Sequence, residues 1–385
     1  MKPLRIGIVG GGQLGKMLTI AAKKMGFYVA VIDPTPQSPA GQVADLQIVA
    51  DYKDAKAIQE LAKLTDVLTF EIELASSTVL DKILKSGKNV QPNPRTLGII
   101  RDKLLQKKFL LKNRISTSAF IEVTKPADIN LAVKTFGYPF MLKARTDAYD
   151  GRGNYLVSKE EDIEKGLEKL TRRPLYIEKF VPFIKEIAVT IARTPTGKIA
   201  LYPVVETIHK DNICDTVIAP ANISKRAKNN ALKLARKTMK ALSGAGVFAI
   251  EMFLTKDDKV LVNEIAPRPH NSGHYSIEAC SVSQFEQHIR AILNLPLIEP
   301  ALLSPAVMIN IIGEDGSDHP YAIEGIKDVL AIPGASLHIY GKMTARKGRK
   351  LGHITVVDSD IEHAIQKARK ARSLIKIKDM SGING

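Results

Sequence analysis

Glu251 and Glu264 are acids set in apolar surroundings. The first lies in the run 247–254 and the second in 260–265, with the polar turn Thr255-Lys256-Asp257-Asp258-Lys259 between them. Centring a hairpin between Asp257 and Asp258 places Glu251 opposite Glu264 and Phe253 opposite Val262. Opposed Cβ atoms on antiparallel strands lie about 4.5–5.5 Å apart, and like charges there repel. Two such acids need a cation between them, a shared proton or open water. A divalent ion answers that need, and oxygen ligands suit Mg²⁺, with Mn²⁺ also admissible. Asn263 and Asn271 are further oxygen donors close by in the sequence. An exposed hairpin face on which both glutamates meet lysines would leave the same pattern. A slip of one residue would put the acids on opposite faces.

Other segments have the residue types that handle phosphate. Lys143 lies in the strand-like run 140–144 and feeds Tyr149-Asp150-Gly151-Arg152-Gly153-Asn154. A strand lysine followed by a glycine loop can clamp a polyphosphate, the lysine as a point charge and the loop amides around the oxygens. An ordinary Asp-Gly hairpin turn reads the same way. Lys103 is a second candidate cation, but Lys107 and Lys108 share its basic helix. Tyr176-Ile177-Glu178-Lys179-Phe180-Val181 is an apolar strand with one charge pair, either a hinge whose backbone reads adenine or an edge strand. Pro267-Arg268-Pro269-His270-Asn271-Ser272-Gly273-His274 follows Glu264 closely and lacks zinc-site spacing. It is either a polar substrate loop or a proline-stiffened turn. Residues 341–350 form a strongly basic loop.

Gly10-Gly11-Gly12-Gln13-Leu14-Gly15 follows a strand, opens a helix and matches G-x-G-x-x-G, with Asp33 at the end of the next strand. That is a local dinucleotide fingerprint, and the helix N-terminus favours an anion. A tight turn that binds nothing fits equally. The antiparallel, basic remainder of the chain argues against a dehydrogenase.

The elements that must position these residues fall into three stretches. Residues 1–100 alternate strands (5–9, 28–32, 67–70) with helices (13–25, 55–64, 76–86), which implies a doubly wound parallel sheet. Gln91-Pro92-Asn93-Pro94 marks a boundary and a basic helix follows at 97–112. From 119 onward β-like runs come in pairs, 140–144 with 155–157, 186–192 with 199–205 and 247–254 with 260–265, covered by helices at 127–136, 161–170, 227–243 and 283–293. This is α+β organisation, and Asn294-Leu295-Pro296-Leu297 ends it. The last stretch carries strands at 306–311, 336–340 and 353–357 and a helix at 361–372.

Composition narrows the function classes. With 385 residues the chain is long enough for two or three domains. A net charge of +16 favours anionic partners without choosing among them. Aromatic residues make up 5% and Trp is absent, which leaves few platforms for stacking single-stranded nucleic acid. The runs 225–240 and 367–376 read as solvated helix faces. Two cysteines, Cys214 and Cys280, make no disulfide framework and suggest a reducing compartment. No stretch approaches the roughly 18 apolar residues of a membrane span. The first residues lack a signal-peptide core and the last are no lipidation signal, so a cytoplasmic protein is expected.

Taken in order, Gly10–Met17 (GGGQLGKM), Phe70–Glu73 (FEIE), Tyr149–Gly153 (YDGRG), Asn263–His274 (NEIAPRPHNSGH) and Gly348–His353 (GRKLGH) resemble the 5-(carboxyamino)imidazole ribonucleotide synthases, ATP-grasp ligases of purine biosynthesis. The likeness runs along essentially the whole chain, and NEIAPRPHNSGH is its most specific part. It implies an N-terminal pre-ATP-grasp domain (1–100), a two-lobed ATP-grasp domain (101–300, small lobe 115–182, large lobe from 183) and a small C-terminal β-rich domain (301–385) packing on the large lobe. It also implies that ATP phosphorylates bicarbonate to carboxyphosphate, and that this intermediate or CO₂ released from it carboxylates 5-aminoimidazole ribonucleotide, in a homodimer with no nucleic acid or membrane partner.

By motif match, Lys103 and Lys143 contact phosphates under a loop of Tyr149, Asp150, Gly151, Arg152, Gly153 and Asn154. Glu178, Lys179, Phe180 and Val181 line the adenine hinge, Glu186 holds ribose hydroxyls and His209 is a further nucleotide contact. Asn263 and Glu264 complete the nucleotide site, and Glu251 and Glu264 hold Mg²⁺. The ribonucleotide meets Glu73, Asp150, Arg152, His270, Lys342 and Arg349, with Asp150, Arg152 and Lys143 as the catalytic set. Two positions depart from the family pattern: Asp147-Ala148 stands where two glycines are frequent, and Lys103 where arginine is frequent, which loses a forked phosphate contact. Other ATP-grasp ligases, biotin carboxylase-like or formate-dependent glycinamide ribonucleotide transformylase-like, are the nearest alternatives, and a nicotinamide dehydrogenase a more distant one.

Overall fold

Buried strands separated by amphipathic helices open the structure, a computed structural model that describes residues 4–146, 153–171 and 173–382. β1 (Arg5–Val9), α1 (Gln13–Lys24), β2 (Tyr28–Asp33), β3 (Leu46–Val49), α2 (Ala55–Leu64), β4 (Val67–Phe70), α3 (Ser77–Lys85) and β5 (Asn89–Val90) follow in order. The strands form one parallel sheet in the order β3-β2-β1-β4-β5. β4 is buried at every position because helices cover both faces. Asp54 and Ser76 cap α2 and α3 by accepting from amides of the first turn.

The basic helix expected at 97–112 is two helices, α4 (Pro94–Arg101) and α5 (Lys103–Lys112). Asp102 separates them. Its backbone is extended, and its carboxylate accepts from the Leu104 and Leu105 amides, so it ends one helix and starts the next. That break decides where Lys103 points, because the Lys103 amide donates to the Arg145 carbonyl (2.8 Å) and Arg145 grips Asp102 (2.7 Å).

β6 (Phe120–Val123), α6 (Pro126–Phe136), β7 (Phe140–Ala144), β8 (Asn154–Val157), α7 (Asp162–Lys169) and β9 (Leu175–Lys179) build a small antiparallel sheet, β6-β9-β7-β8. Alternation along β7 buries Phe140, Leu142 and Ala144 against α6 and leaves Lys143 on the other face.

A larger sheet follows, built from β10 (Phe183–Arg193), β11 (Ile199–Leu201), β12 (Val205–Lys210), β13 (Ile213–Ala219), α8 (Lys225–Ala241), β14 (Gly246–Thr255) and β15 (Val260–Ala266). After a 3₁₀ turn at Asn271–Gly273 come α9 (Ser276–Ala279), α10 (Gln284–Ile292), β16 (Ala306–Ile312), β17 (Tyr321–Glu324), α11 (Ile326–Leu330), β18 (Ala335–Ile339), β19 (Lys350–Val357), α12 (Ile361–Leu374) and β20 (Lys376–Asp379). The strand order is β15-β14-β10-β12-β13-β16-β19-β18, with β11 also on β10. The C-terminal strands β16, β19 and β18 therefore extend the large lobe's own sheet through the β13–β16 pair. α12 seals this end with Ala364, Ala368 and Ala371, one residue per turn, against Val307, Ile354 and Val356. Among the described residues no helix is long and apolar enough to cross a membrane, and both cysteines are free and buried.

Candidate active site

Glu251 and Glu264 are register partners across β14 and β15. Beyond them the register slips. Met252 pairs with Val262 and Phe253 with Leu261, so Phe253 does not face Val262 as simple alternation requires. The slip is a β-bulge that leaves Asn263 as the extra residue. Strict alternation would send Asn263 and Glu264 to opposite faces, yet both line the same cleft with Glu251 and Phe253. Burial, and then the facing Glu264, push the Glu251 carboxyl above its ordinary range. One protein cation already attends the pair, beside an imidazole that burial pulls well below its ordinary value. Lys103 Nζ is hydrogen-bonded to Glu264 Oε1, and His270 Nε2 lies 3.7 Å from Glu251 Oε1.

On the small-lobe side Glu178 is a buried hub. It takes Lys143 Nζ at 3.3 Å, Lys107 Nζ at 3.3 Å, the Tyr176 hydroxyl at 2.8 Å and the Ser118 hydroxyl at 2.7 Å. Burial alone raises a carboxyl. Here the two ammonium groups and the two hydroxyls outweigh it and hold Glu178 at about 2. Burial lowers Lys107 to about 8 despite its partner. On the large lobe His209 Nδ1 meets Glu186 Oε2, which raises the imidazole although burial opposes this.

The Pro-rich loop after β15 brings Arg268 against Glu73 (2.9 Å). Burial opposes the ionised form of Glu73, but Arg268 and Lys103 hold it below the ordinary range. Asn271 is not a metal ligand in this arrangement. Its amide and that of Asn310 on β16 exchange both hydrogen bonds (2.9 and 2.7 Å), which consumes its oxygen. Lys342 and Arg349 lie on the loop between β18 and β19. Lys342 Nζ stands 6.0 Å from the Tyr340 ring centre, and Arg349 Nη1 donates to Asp318 Oδ1 (2.9 Å).

The glycine loop does not present an open anion seat. The Gly12 amide donates to Glu71 Oε1 (2.8 Å) and the Gly11 amide to Asp33 Oδ2 (2.9 Å). Asp33 therefore caps a turn, and the dinucleotide reading of this motif falls.

One cleft of about 1390 Å³ joins these groups. Lys103, Lys143, Gly153, Asn154, Glu178, Lys179, Phe180, Val181, Glu186, His209, Glu251, Asn263 and Glu264 all line it, as do Glu73, His270, Lys342 and Arg349. Tyr149, Asp150, Gly151 and Arg152 lie outside the described residues. Lys107, Arg268 and Glu71 received no role from sequence reasoning. A helical lysine four residues after Lys103, with Leu104 and Leu110 buried on either side, was the available signal for Lys107.

Three family models match successive parts of the chain: the ribonucleotide synthetase preATP-grasp domain over residues 1–101, the ATP-grasp domain over 108–285 and the phosphoribosylaminoimidazole carboxylase C-terminal domain over 306–367. The crystal structure of N5-carboxyaminoimidazole ribonucleotide synthetase from Thermotoga maritima is 49% identical, superposes with a TM-score of 0.89, and is covered over 99% of its length by 98% of this chain.

The chain belongs to the N5-carboxyaminoimidazole ribonucleotide synthase family.

It is accordingly an ATP-grasp ligase. A second synthase structure, from Aspergillus clavatus in complex with ADP and 5-aminoimidazole ribonucleotide, is 38% identical with a TM-score of 0.89 over 97% of this chain and 98% of that one. The phosphoribosylaminoimidazole carboxylase of Schizosaccharomyces pombe is 44% identical over 97% of this chain, which spans 68% of that longer protein. Membership explains why one cleft draws on every part of the chain: Glu73 from the parallel sheet, Lys143 from the small lobe, Glu251 from the large lobe and Arg349 from the C-terminal strands.

Proposed function

We propose that the ATP-dependent carboxylation of 5-aminoimidazole ribonucleotide performed by this family runs in the cleft with bicarbonate as carbon source. ATP lies between the lobes, its adenine along Glu178–Val181 and its ribose at Glu186 and His209. Its phosphates lie at Lys103, Lys143 and Asn263. The ribonucleotide takes the other end. Glu73 and His270 face its sugar and ring, and Lys342 and Arg349 face its 5′-phosphate.

The residues present fit a magnesium ion. Glu251 and Glu264 are opposed oxygen donors on the cleft wall, and burial together with their mutual repulsion raises the Glu251 carboxyl. No group of three or more His, Cys, Asp or Glu side chains among the described residues makes a ready metal centre. Two carboxylates with phosphate oxygens are the usual donor set for Mg²⁺. When bound, the ion neutralises polyphosphate charge and polarises the transferred phosphoryl group.

A bicarbonate oxygen attacks the γ-phosphorus, the bond to the β-phosphate oxygen breaks, and ADP and carboxyphosphate result. The exocyclic amine nitrogen then attacks the carboxyl carbon, the C–O bond to phosphate breaks and phosphate leaves. Asp150 orients the amine or receives its proton, and Lys143 and Arg152 stabilise charge on the migrating groups. Holding amine and electrophile together removes much of the entropic barrier. The same reading expects a homodimer in the cytoplasm, and sedimentation checks the association state.

The observation that carries the reading is the opposition of Glu251 and Glu264 in the cleft that also holds Lys103 and Lys143. The test is ADP release with each component omitted in turn, followed by transfer of label from bicarbonate. Full turnover is expected only with ATP, Mg²⁺, bicarbonate and 5-aminoimidazole ribonucleotide together. Turnover that ignores bicarbonate, or prefers another amine acceptor, overturns it.

A further inference from the structure

The glycine loop between β1 and α1 is shaped around a side chain of the protein itself. A Cβ on Gly10 would lie 2.8 Å from both Cγ and Oε1 of Glu71, and one on Gly12 2.9 Å from Oε1, whereas one on Gly15 would meet the Gly10 carbonyl first, at 2.9 Å. Gly10 also needs its positive φ of 101°. Two glycines of the motif, Gly10 and Gly12, thus clear space for one carboxylate. Glu71 is 7% exposed, and its own amide donates to the Val9 carbonyl (3.0 Å), so both its main chain and its side chain are held. Gly12, the N-cap residue of α1, has no side chain to cap the helix, and its own amide donates to the Glu71 carboxylate. Burial pushes the Glu71 carboxyl up to about 7 against the Gly12 hydrogen bond and the Arg268 cation.

We propose that Glu71 is a positioning residue for the ribonucleotide subsite. Its carboxylate occupies the helix-start seat that a nucleotide phosphate takes in glycine loops of this type, and so locks the 71–73 turn with Glu73 toward the cleft and Arg268. The proposal rests on the assignment of Glu73 to the ribonucleotide. It follows from connectivity: Glu73 is two residues beyond the anchored carboxylate, and Gly12, Gln13 and Leu14 form the adjoining wall of the same cleft. An internal carboxylate also keeps stray phosphate off the loop amides, because a tethered anion competes at high effective concentration.

The test compares Glu71→Ala, Glu71→Gln and Glu73→Gln in the full-length enzyme. In Glu71→Ala the KM for 5-aminoimidazole ribonucleotide is expected to rise about tenfold, the loss of a hydrogen bond to a charged group. The KM for ATP should stay within about twofold, a split that general loosening does not give. Acetate should restore the ribonucleotide KM of Glu71→Ala and leave Glu73→Gln unrescued. Glu71→Gln keeps an acceptor for the Gly12 amide, should fall between wild type and Glu71→Ala, and carries the KM comparison if the alanine variant does not fold. Parallel rises in both KM values, an unchanged ribonucleotide KM, or no response to acetate overturns the proposal. A ribonucleotide KM unchanged in Glu73→Gln overturns the Glu73 assignment, and the inference with it. A rise there with no change at Glu71 overturns the inference alone.

Discussion

The Lys107 ammonium lies 3.3 Å from Glu178 Oε2, with side chains only 2% and 3% exposed. Lys143 meets the other oxygen of the same carboxylate from the cleft side. One buried anion thus anchors two lysines, one internal and one facing the nucleotide site. Lys107 also donates to the Thr117 and Ser118 hydroxyls (2.9 and 3.0 Å), which ties α5 to the segment leading into β6.

Lys107→Met is therefore expected to be costly, because it leaves the buried Glu178 charge with one cation fewer. The expected loss is about 3 kcal/mol of unfolding free energy, read by urea titration, with a raised KM for ATP as Lys143 is drawn toward Glu178. The double variant Lys107→Met/Glu178→Leu should recover part of the stability, since the fully buried charge is gone and only Lys143, at the cleft edge, loses its partner, and none of the ATP affinity. Recovery of both would mean that the pair only fills space.

The opposed acids of β14 and β15 give a metal-linked prediction. In metal-free protein Glu251→Gln removes like-charge repulsion and should raise stability by about 0.5–1 kcal/mol. The same substitution should abolish the thermal stabilisation that Mg²⁺ with ATP gives the wild type, and lower turnover at least about a hundredfold. Thermal unfolding with and without Mg²⁺-ATP checks both halves. A metal-free variant less stable than wild type would show that Lys103 and His270 already satisfy the pair.

His288 gives a pH prediction. Its Nδ1 accepts from the Val247 amide (3.0 Å) and its Nε2 is 2.8 Å from the Thr69 hydroxyl, so the parallel sheet and β14 are joined through a neutral ring. Burial lowers it to about 3. The unfolded ring takes a proton near 6.5, so between about 6.5 and 3 the unfolded state binds more protons and stability falls as pH falls. The slope from this group reaches about 1.4 kcal/mol per pH unit. His274 and His353, also buried and lowered, act in the same direction. Urea titrations at pH about 7, 6 and 5 should show a shallower decline for His288→Gln than for wild type. Equal slopes would mean that the ring is charged in the fold.

The hairpin was legible in the sequence because a polar turn lies between two apolar runs, but its turn-side pairs (Leu254–Val260, Phe253–Leu261, Met252–Val262) run one residue off simple alternation about that turn, and it is the bulge that sets Glu251 opposite Glu264. The bulge at Asn263 was not legible, since an extra residue leaves no mark on the alternation of so short a strand. Lys107 was hidden for a different reason. A lysine in a basic helix reads as solvated, and only the tertiary approach of Glu178 makes it an interior residue. The glycine loop misled by similarity: its spacing does create an anion seat, but the anion comes from 59 residues away in the same chain. The union of the C-terminal strands with the large sheet depends on the β13–β16 pairing, which joins residues far apart in sequence and has no local signature.

Arg349 and Asp318 give the last prediction. Arg349 Nη1 donates to Asp318 Oδ1 (2.9 Å), which also accepts from the Thr344 hydroxyl (2.8 Å) and is 55% exposed. If Arg349 grips the ribonucleotide 5′-phosphate, that phosphate competes with Asp318 for the guanidinium. Arg349→Ala should raise the ribonucleotide KM about ten- to a hundredfold, the weight of a charge-assisted pair, and leave the ATP KM unaltered. Arg349→Lys should recover only part of this, because an ammonium cannot make the forked contact. Asp318→Asn frees the guanidinium and should lower the ribonucleotide KM, most clearly at low ionic strength, where the remaining charges are least screened. Steady-state kinetics on the three variants decides the matter. If Asp318→Asn raises the KM as Arg349→Ala does, Asp318 orients the guanidinium for the phosphate and does not compete with it.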